Sequence, residues 1–260
     1  MSKLKNLALA STILAGGLAM AGPAHAVLAL SANINGTIIS CTDGAACDTN
    51  PLPGQLKIAD QLVNGVEIQG SSQFQVIGGT NDLNTSSFQI INHNQSAATV
   101  VVAVNGINFL GPVLGYTASG SGTWQNANGS SIALSFYGDP SNTQGATTPT
   151  DLPGTQLNNF TNTAVGPADS FATGSLTGSF SAGALFGMSL GTSGTLAAWD
   201  GVAGDEPTLV GRSQAIVTTQ AVPEPASLMI FGSALLGMGV VGKLRRRKNG
   251  KTDLSGTSAA

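Results

Sequence analysis

Basic residues are what this sequence has least of where they would matter. Only 9% of its 260 residues are charged, and the 10 Lys and Arg are crowded at the ends. Lys3 and Lys5 lie near the start. Lys243, Arg245, Arg246, Arg247, Lys248 and Lys251 lie near the finish, so Lys57 and Arg212 alone remain in residues 27–221. That stretch keeps 11 of the 13 acids, for a net charge of 2 − 11 = −9, against −3 for the whole chain. A surface so short of cations cannot neutralise a nucleic-acid backbone, whose binding needs several Lys or Arg contacts. Nucleic acid is excluded as a partner, and sulfated or phosphorylated polymers are poor ones for the same reason.

Cysteine, histidine and glutamate are also scarce. Cys41 and Cys47 are the only cysteines. Cys-x5-Cys with no second pair and no nearby His is a poor metal site, so a disulfide in an oxidising compartment is the expectation. Closing so small a loop contributes about 2 kcal/mol in the chain-entropy account. His93, in the polar stretch Asn92-His93-Asn94, is the one histidine of residues 27–221, and Glu67 and Glu206 are the only glutamates there. Neither glutamate sits in a motif that suggests paired carboxylates for glycoside hydrolysis. Gly187-Met188-Ser189-Leu190-Gly191 matches the G-x-S-x-G elbow of serine hydrolases, but that elbow needs a strand–turn–helix setting and a His after the Ser. His93 comes before it. No catalytic residue, metal ligand or cofactor is therefore assigned, and the chain reads as a non-enzyme. Asp43, Asp48 and Asp60 could offer oxygens to Ca2+, without the Asp-x-Asp-x-Asp-Gly spacing of a calcium loop.

The two ends are where the sequence is rich in signals. Lys3 and Lys5 precede an apolar stretch, residues 7–20, followed by Gly-Pro and the triplet Ala24-His25-Ala26. This is the pattern of a secretory signal peptide, residues 1–26, cut after Ala26 with Ala24 and Ala26 as the small flanking residues, and it implies passage through the Sec translocon. At the other end stands Val222-Pro223-Glu224-Pro225. Each proline fixes its own φ and biases the preceding residue away from the helix, so these four residues should be extended. An uncharged run then opens on Ala226 and closes on Gly242. As a helix its 17 residues span roughly 26 Å, close to a hydrocarbon core of about 30 Å. The stop-transfer cluster Lys243, Arg245, Arg246, Arg247 and Lys248 keeps its far side in the cytoplasm by the positive-inside rule, which puts Glu224 and all before it across the membrane. Residues 249–260 form a polar cytoplasmic tail.

On these residues the chain resembles the PEP-CTERM family of bacterial exported proteins, whose tails carry a Pro-Glu-Pro signal, one hydrophobic span and an Arg-rich cluster. The resemblance covers residues 222–248, with the polar extension beyond them as a departure. It implies recognition by an exosortase, a membrane cysteine peptidase that removes such tails near the motif as the protein moves from the inner membrane to the cell surface or extracellular matrix. Members differ widely in the exported body, so the resemblance implies a route and not an activity.

The body, residues 27–221, is rich in Gly, Ser, Thr, Asn and Gln and shows no helical periodicity. Short β-type runs lie instead between turn residues. Ile132, Leu134 and Phe136 alternate with Ser131, Ala133 and Ser135, as in a strand with one buried face. Asn35-Gly36, Asn64-Gly65, Asn105-Gly106 and Asn128-Gly129 are expected to be type I′ turns closing hairpins. Residues 139–167, with four prolines, are expected to form a long surface loop. These signals predict an all-β domain, a single β-sandwich or jelly roll. With the route that the resemblance implies, the expected function is a structural or adhesive one at the cell surface or in the extracellular matrix. The alternatives are a carbohydrate-binding module using an exposed Trp124, Trp199, Tyr116 or Tyr137 against matrix polysaccharide, and a secreted hydrolase.

Overall fold

The computed structural model describes residues 27–77 and 79–220. The expected signal peptide with Ala24 and Ala26, the motif Val222, Pro223, Glu224 and Pro225, the apolar run and the basic cluster after it lie outside these residues. Among the described residues there are thirteen strands and no helix. In chain order they are β1 Leu28–Ile34, β2 Thr37–Thr42, β3 Gln55–Val63, β4 Val66–Ile77, β5 Thr80–Asn92, β6 Ala98–Leu110, β7 Val113–Gln125, β8 Ser131–Asp139, β9 Thr155–Thr163, β10 Ala168–Ala172, β11 Leu176–Gly178, β12 Leu185–Leu196 and β13 Thr208–Thr219.

They form two antiparallel sheets. The first, sheet A, has the order β2-β1-β6-β12-β8-β9; the second, sheet B, has the order β10-β7-β13-β5-β4-β3, with β11 also on β7. Alternation decides which side chains face inward, because successive residues of a strand point to opposite sides. Leu28 and Leu30 of β1, Phe136 of β8 and Phe186 of β12 meet Leu56 of β3, Leu83 of β5 and Val217 of β13 across the gap. A second apolar cluster joins Ile34, Ile132 and Leu196 to Ile68, Ile90, Trp124 and Leu209. The expected sandwich is thus observed. Thr85, Ser213 and Ser72 are also buried, and the Ser213 N–H donates to Thr85 Oγ1 at 2.8 Å.

Two of the four expected turns have the predicted form. Asn35-Gly36 (φ 48° and 91°) joins β1 to β2, and Asn64-Gly65 (φ 48° and 72°) joins β3 to β4. Both pairs occupy the left-handed region that a type I′ turn needs. Asn128-Gly129 lies in the connection from β7 to β8, but its positive φ values fall on Asn126 and Gly129. Asn105-Gly106 is not a turn. It lies inside β6, paired on one side with β1 and on the other with β12. The missing side chain is needed there for packing: a Cβ on Gly106 would stand 2.9 Å from the Phe109 ring and 3.2 Å from Leu28.

The expected loop over residues 139–167 is also corrected. Its second half contains β9, an edge strand hydrogen bonded to β8. Its first half folds back over the outer face of sheet A, where Ala146 and Leu152 pack on Ala29 and Ala103. Small residues at 29 and 103 leave room for that cover. Asn105 anchors it. Its Oδ1 accepts from the Gly145 N–H and from Gln144 Nε2, both at 2.8 Å, while its Nδ2 donates to Met188 O and Ser189 Oγ. Asn142 and Asn108 add a reciprocal pair, Asn142 Oδ1 accepting from the Asn108 N–H at 2.7 Å and Asn142 Nδ2 donating to Asn108 Oδ1.

Candidate functional site

Most residues singled out for chemistry turn out to serve the fold. Cys41, at the end of β2, and Cys47 form the expected disulfide, with Cα atoms 5.8 Å apart. It closes the loop that holds Asp43, and Asp48 follows directly after it. Asp48 Oδ1 accepts from the N–H groups of Asn50 and Lys57, and its Oδ2 from that of Gly44. Burial pushes this carboxyl up, and those three donors more than offset it, so it stays below its ordinary range. Asp43 Oδ2 accepts from the Gly54 N–H at 2.7 Å. The two carboxylates thus hold backbone, and among the described residues no three His, Cys, Asp or Glu side chains gather as a metal site.

Ser189 is a strand residue with no exposed surface, in the middle of β12 and hydrogen bonded to Asn105. The G-x-S-x-G stretch therefore has none of the strand–turn–helix geometry of a nucleophile elbow. His93 follows β5 on the other sheet, where its Nε2 lies 3.3 Å from Glu67 Oε2, both side chains about one-third exposed.

Neither Trp124 nor Tyr116 is available to a ligand. Trp124 is 1% exposed, packs against Phe171, and donates from Nε1 to Asn162 Oδ1 across the sandwich. Tyr116 is 7% exposed; its hydroxyl accepts from Asn158 Nδ2 and donates to Leu157 O. Both large rings fill the gap between sheets and satisfy their polar tips on β9. Trp199 is half-buried in the loop before β13, its Nε1 donating to Val202 O, and Tyr137 is half-buried on sheet A, bonded to Gln156. The sugar-stacking expectation is corrected for Trp124 and Tyr116.

What remains open is the outer face of sheet B. A groove of about 440 Å3 runs there over β4, β5, β13 and β7, and residues 172–174 form part of its wall. Pairing register builds its floor. Gln73 stands opposite Asn84, Asn84 opposite Gln214, and Gln214 opposite Ser119, so four side chains from four strands make one polar row. A second hollow of about 300 Å3 adjoins it over β3 and β4, sharing Gln73 and Ser86. Arg212 lines the first and Lys57 the second, so the two cations of the body both reach this face. Arg212 Nε donates to Ser121 Oγ at 3.2 Å.

Asp82 sits one step along the same face from Asn84. Its Oδ2 accepts from Gln214 Nε2 at 2.9 Å and, more weakly, from Asn84 Nδ2. Burial raises its carboxyl above the usual range, and these two hydrogen bonds only partly oppose that. Asp82 Oδ1 and Asn84 Oδ1 are both buried without a partner. Sequence reasoning missed this site entirely, because its residues are ordinary Gln, Asn and Ser scattered from position 73 to 214.

No family model and no curated protein matches the chain. Among solved structures it has a slight likeness to TmCBM61 in complex with beta-1,4-galactotriose, at 8% identity and a TM-score of 0.30, over 60% of this chain and 89% of that one. It has a slighter one to the structure of infectious bursal disease virus Gx strain, at 10% identity and a TM-score of 0.20, over 81% and 71%. Likenesses this faint say nothing about a ligand.

Proposed function

We propose that this is an exported, non-enzymatic protein of the cell surface or extracellular matrix. Its β-sandwich crosses the membrane through the Sec translocon behind a cleaved leader, and its tail holds the precursor at the inner membrane until an exosortase cuts near Val222, Pro223, Glu224 and Pro225. Outside, the sandwich has a structural or adhesive role in contact with polysaccharide.

The observation that carries this reading is the Cys41–Cys47 disulfide, a bond that persists in oxidising compartments and so agrees with the export signals at both ends. The carboxylates of the disulfide loop support a non-catalytic body, since they are spent on backbone N–H groups. A carbohydrate-binding module is the second reading, favoured by the amide-lined groove on sheet B with its single guanidinium and not by an aromatic platform. Intact-mass measurement of the species found outside the inner membrane tests the route. A mass ending near residue 225 is expected. A species that still carries residues 226–248 means a permanent anchor and no sorting.

A further inference from the structure

We propose that the sheet B groove is a binding site for a neutral oligosaccharide, which lies across the strands and is held by hydrogen bonds from the row Gln73, Asn84, Gln214 and Ser119, with Arg212 on its bank. The proposal rests on the polysaccharide contact put forward above, and gives it a place and a chemistry.

One polar group of the groove lacks a partner. Asn84 is 9% exposed and lines the groove, yet its Oδ1 has no hydrogen-bond partner. A buried acceptor left unpaired is costly, and such groups call for an explanation. A ligand hydroxyl supplies one once a small rotation of the amide brings the covered Asn84 Oδ1 to the surface of the groove. The Asn84 Nδ2 group already faces Asp82 Oδ2, so the free acceptor is the position that remains for the ligand.

The functional groups of the row also match those of a sugar chain. An amide carries both a carbonyl acceptor and an NH2 donor, and a hydroxyl is both donor and acceptor. Neighbouring strands place successive members of the row about 4.8 Å apart. A sugar chain presents the same mixture of donor-acceptor hydroxyls at regular intervals along its length. From β7 to β3 the two adjoining hollows cross five strands, roughly 19 Å, which gives room for a short oligosaccharide.

Charge separates this class from others. A polyanion would meet only two cations along both hollows, Arg212 and Lys57, with Asp82 one step from Asn84 and an excess of nine negative charges over the body. An apolar ligand would strand the amides of the floor without partners. Arg212 is well suited to a neutral sugar because its fork presents several donors at fixed angles, and only Nε is committed to Ser121 in the structure.

The test uses the full-length chain in a non-glycosidic detergent, since a maltoside would compete for the groove. It is offered immobilised cello-, manno-, xylo- and galacto-oligosaccharides, with polygalacturonate as the anionic comparison and an extended peptide library as the other macromolecular class. The wild-type chain is expected to bind at least one neutral oligosaccharide. Gln214→Ala and Arg212→Ala should each weaken that binding about tenfold, the effect of losing one or two hydrogen bonds, without lowering the melting temperature. Gln156→Ala, on sheet A, should leave it unchanged. If Gln214→Ala destabilises the chain, Gln73→Ala, at the other end of the floor, reads the same row. Neutral-sugar binding that survives the groove substitutions overturns the site and leaves polysaccharide contact standing elsewhere on the molecule. Binding to no neutral sugar, or to polygalacturonate or peptides alone, overturns the ligand class and with it the polysaccharide contact, while the exported route stays testable by mass.

Discussion

Asn105 should be among the most costly polar residues of the sandwich to remove, although it looks like a turn residue in the sequence. It has no exposed surface and makes four hydrogen bonds with a single amide: two accepted from the covering loop at Gly145 and Gln144, and two donated to β12 at Met188 O and Ser189 Oγ. In Asn105→Ala the Gly145 N–H and the Ser189 hydroxyl are both left buried without these partners. Each such group costs about 1–3 kcal/mol, so the loss is about 4 kcal/mol, or roughly 10 °C in melting temperature for a domain of this size. The loop should also come away from sheet A, because Asn105 and the Asn108–Asn142 pair are its polar anchors and the apolar contact beneath it rests on Ala29 and Ala103. Urea denaturation gives the free energy, and hydrogen exchange of the amides of residues 142–146 reports on the loop. Asn159→Ala, on the exposed edge strand β9, is the comparison and should change stability by less than about 0.5 kcal/mol. A loss below about 1 kcal/mol for Asn105→Ala, with those amides as protected as in the wild type, would refute the anchoring role.

Further outcomes follow from the disulfide loop. Replacing both Cys41 and Cys47 by Ser should lower stability by about 2 kcal/mol, read from the shift in urea midpoint at unchanged slope; an unchanged midpoint would mean that the loop is closed equally well without the bond. Asp48 has a folded-state pKa below its ordinary 3.8, so the stability it contributes is present above the ordinary carboxylate value and is lost as pH falls through the lower, folded one. Hydrogen exchange at Gly44, Asn50 and Lys57 should therefore accelerate, relative to the intrinsic rate, as pH falls from 7 to well below the ordinary 3.8, and Asp48→Ala should show the faster exchange at both ends of that range. Equal protection of these amides in Asp48→Ala and wild type at pH 7 would contradict the assignment.

The features that could be read in advance were those decided by neighbours in the chain. The alternation of Ile132, Leu134 and Phe136 marks β8 because strand periodicity is a local property, and Asn35-Gly36 and Asn64-Gly65 make their turns because both residues tolerate positive φ. Cys41 and Cys47, six positions apart, can pair whatever the rest of the fold does. β7 is not legible in the sequence, since its inward face is Tyr116, Ala118, Gly120, Gly122 and Trp124, too rich in small residues to stand out as an apolar alternation. β9 was equally hidden, an edge strand with Asn and Thr on both sides.

The charge and apolar patterns of the two ends, the shortage of cations in the body and the all-β character were determined by the sequence itself, because charge count, apolar run length and alternation need no knowledge of distant contacts. Tertiary structure alone decided that Asn105-Gly106 is strand and not turn, since pairing with both β1 and β12 outweighs a two-residue preference. It decided that Trp124 and Tyr116 are core and not platform. It also decided the groove: Gln73, Asn84, Ser119 and Gln214 become one row only through the register of four strands drawn from three separate stretches of chain, and register depends on how the whole buried face is matched across the sheets.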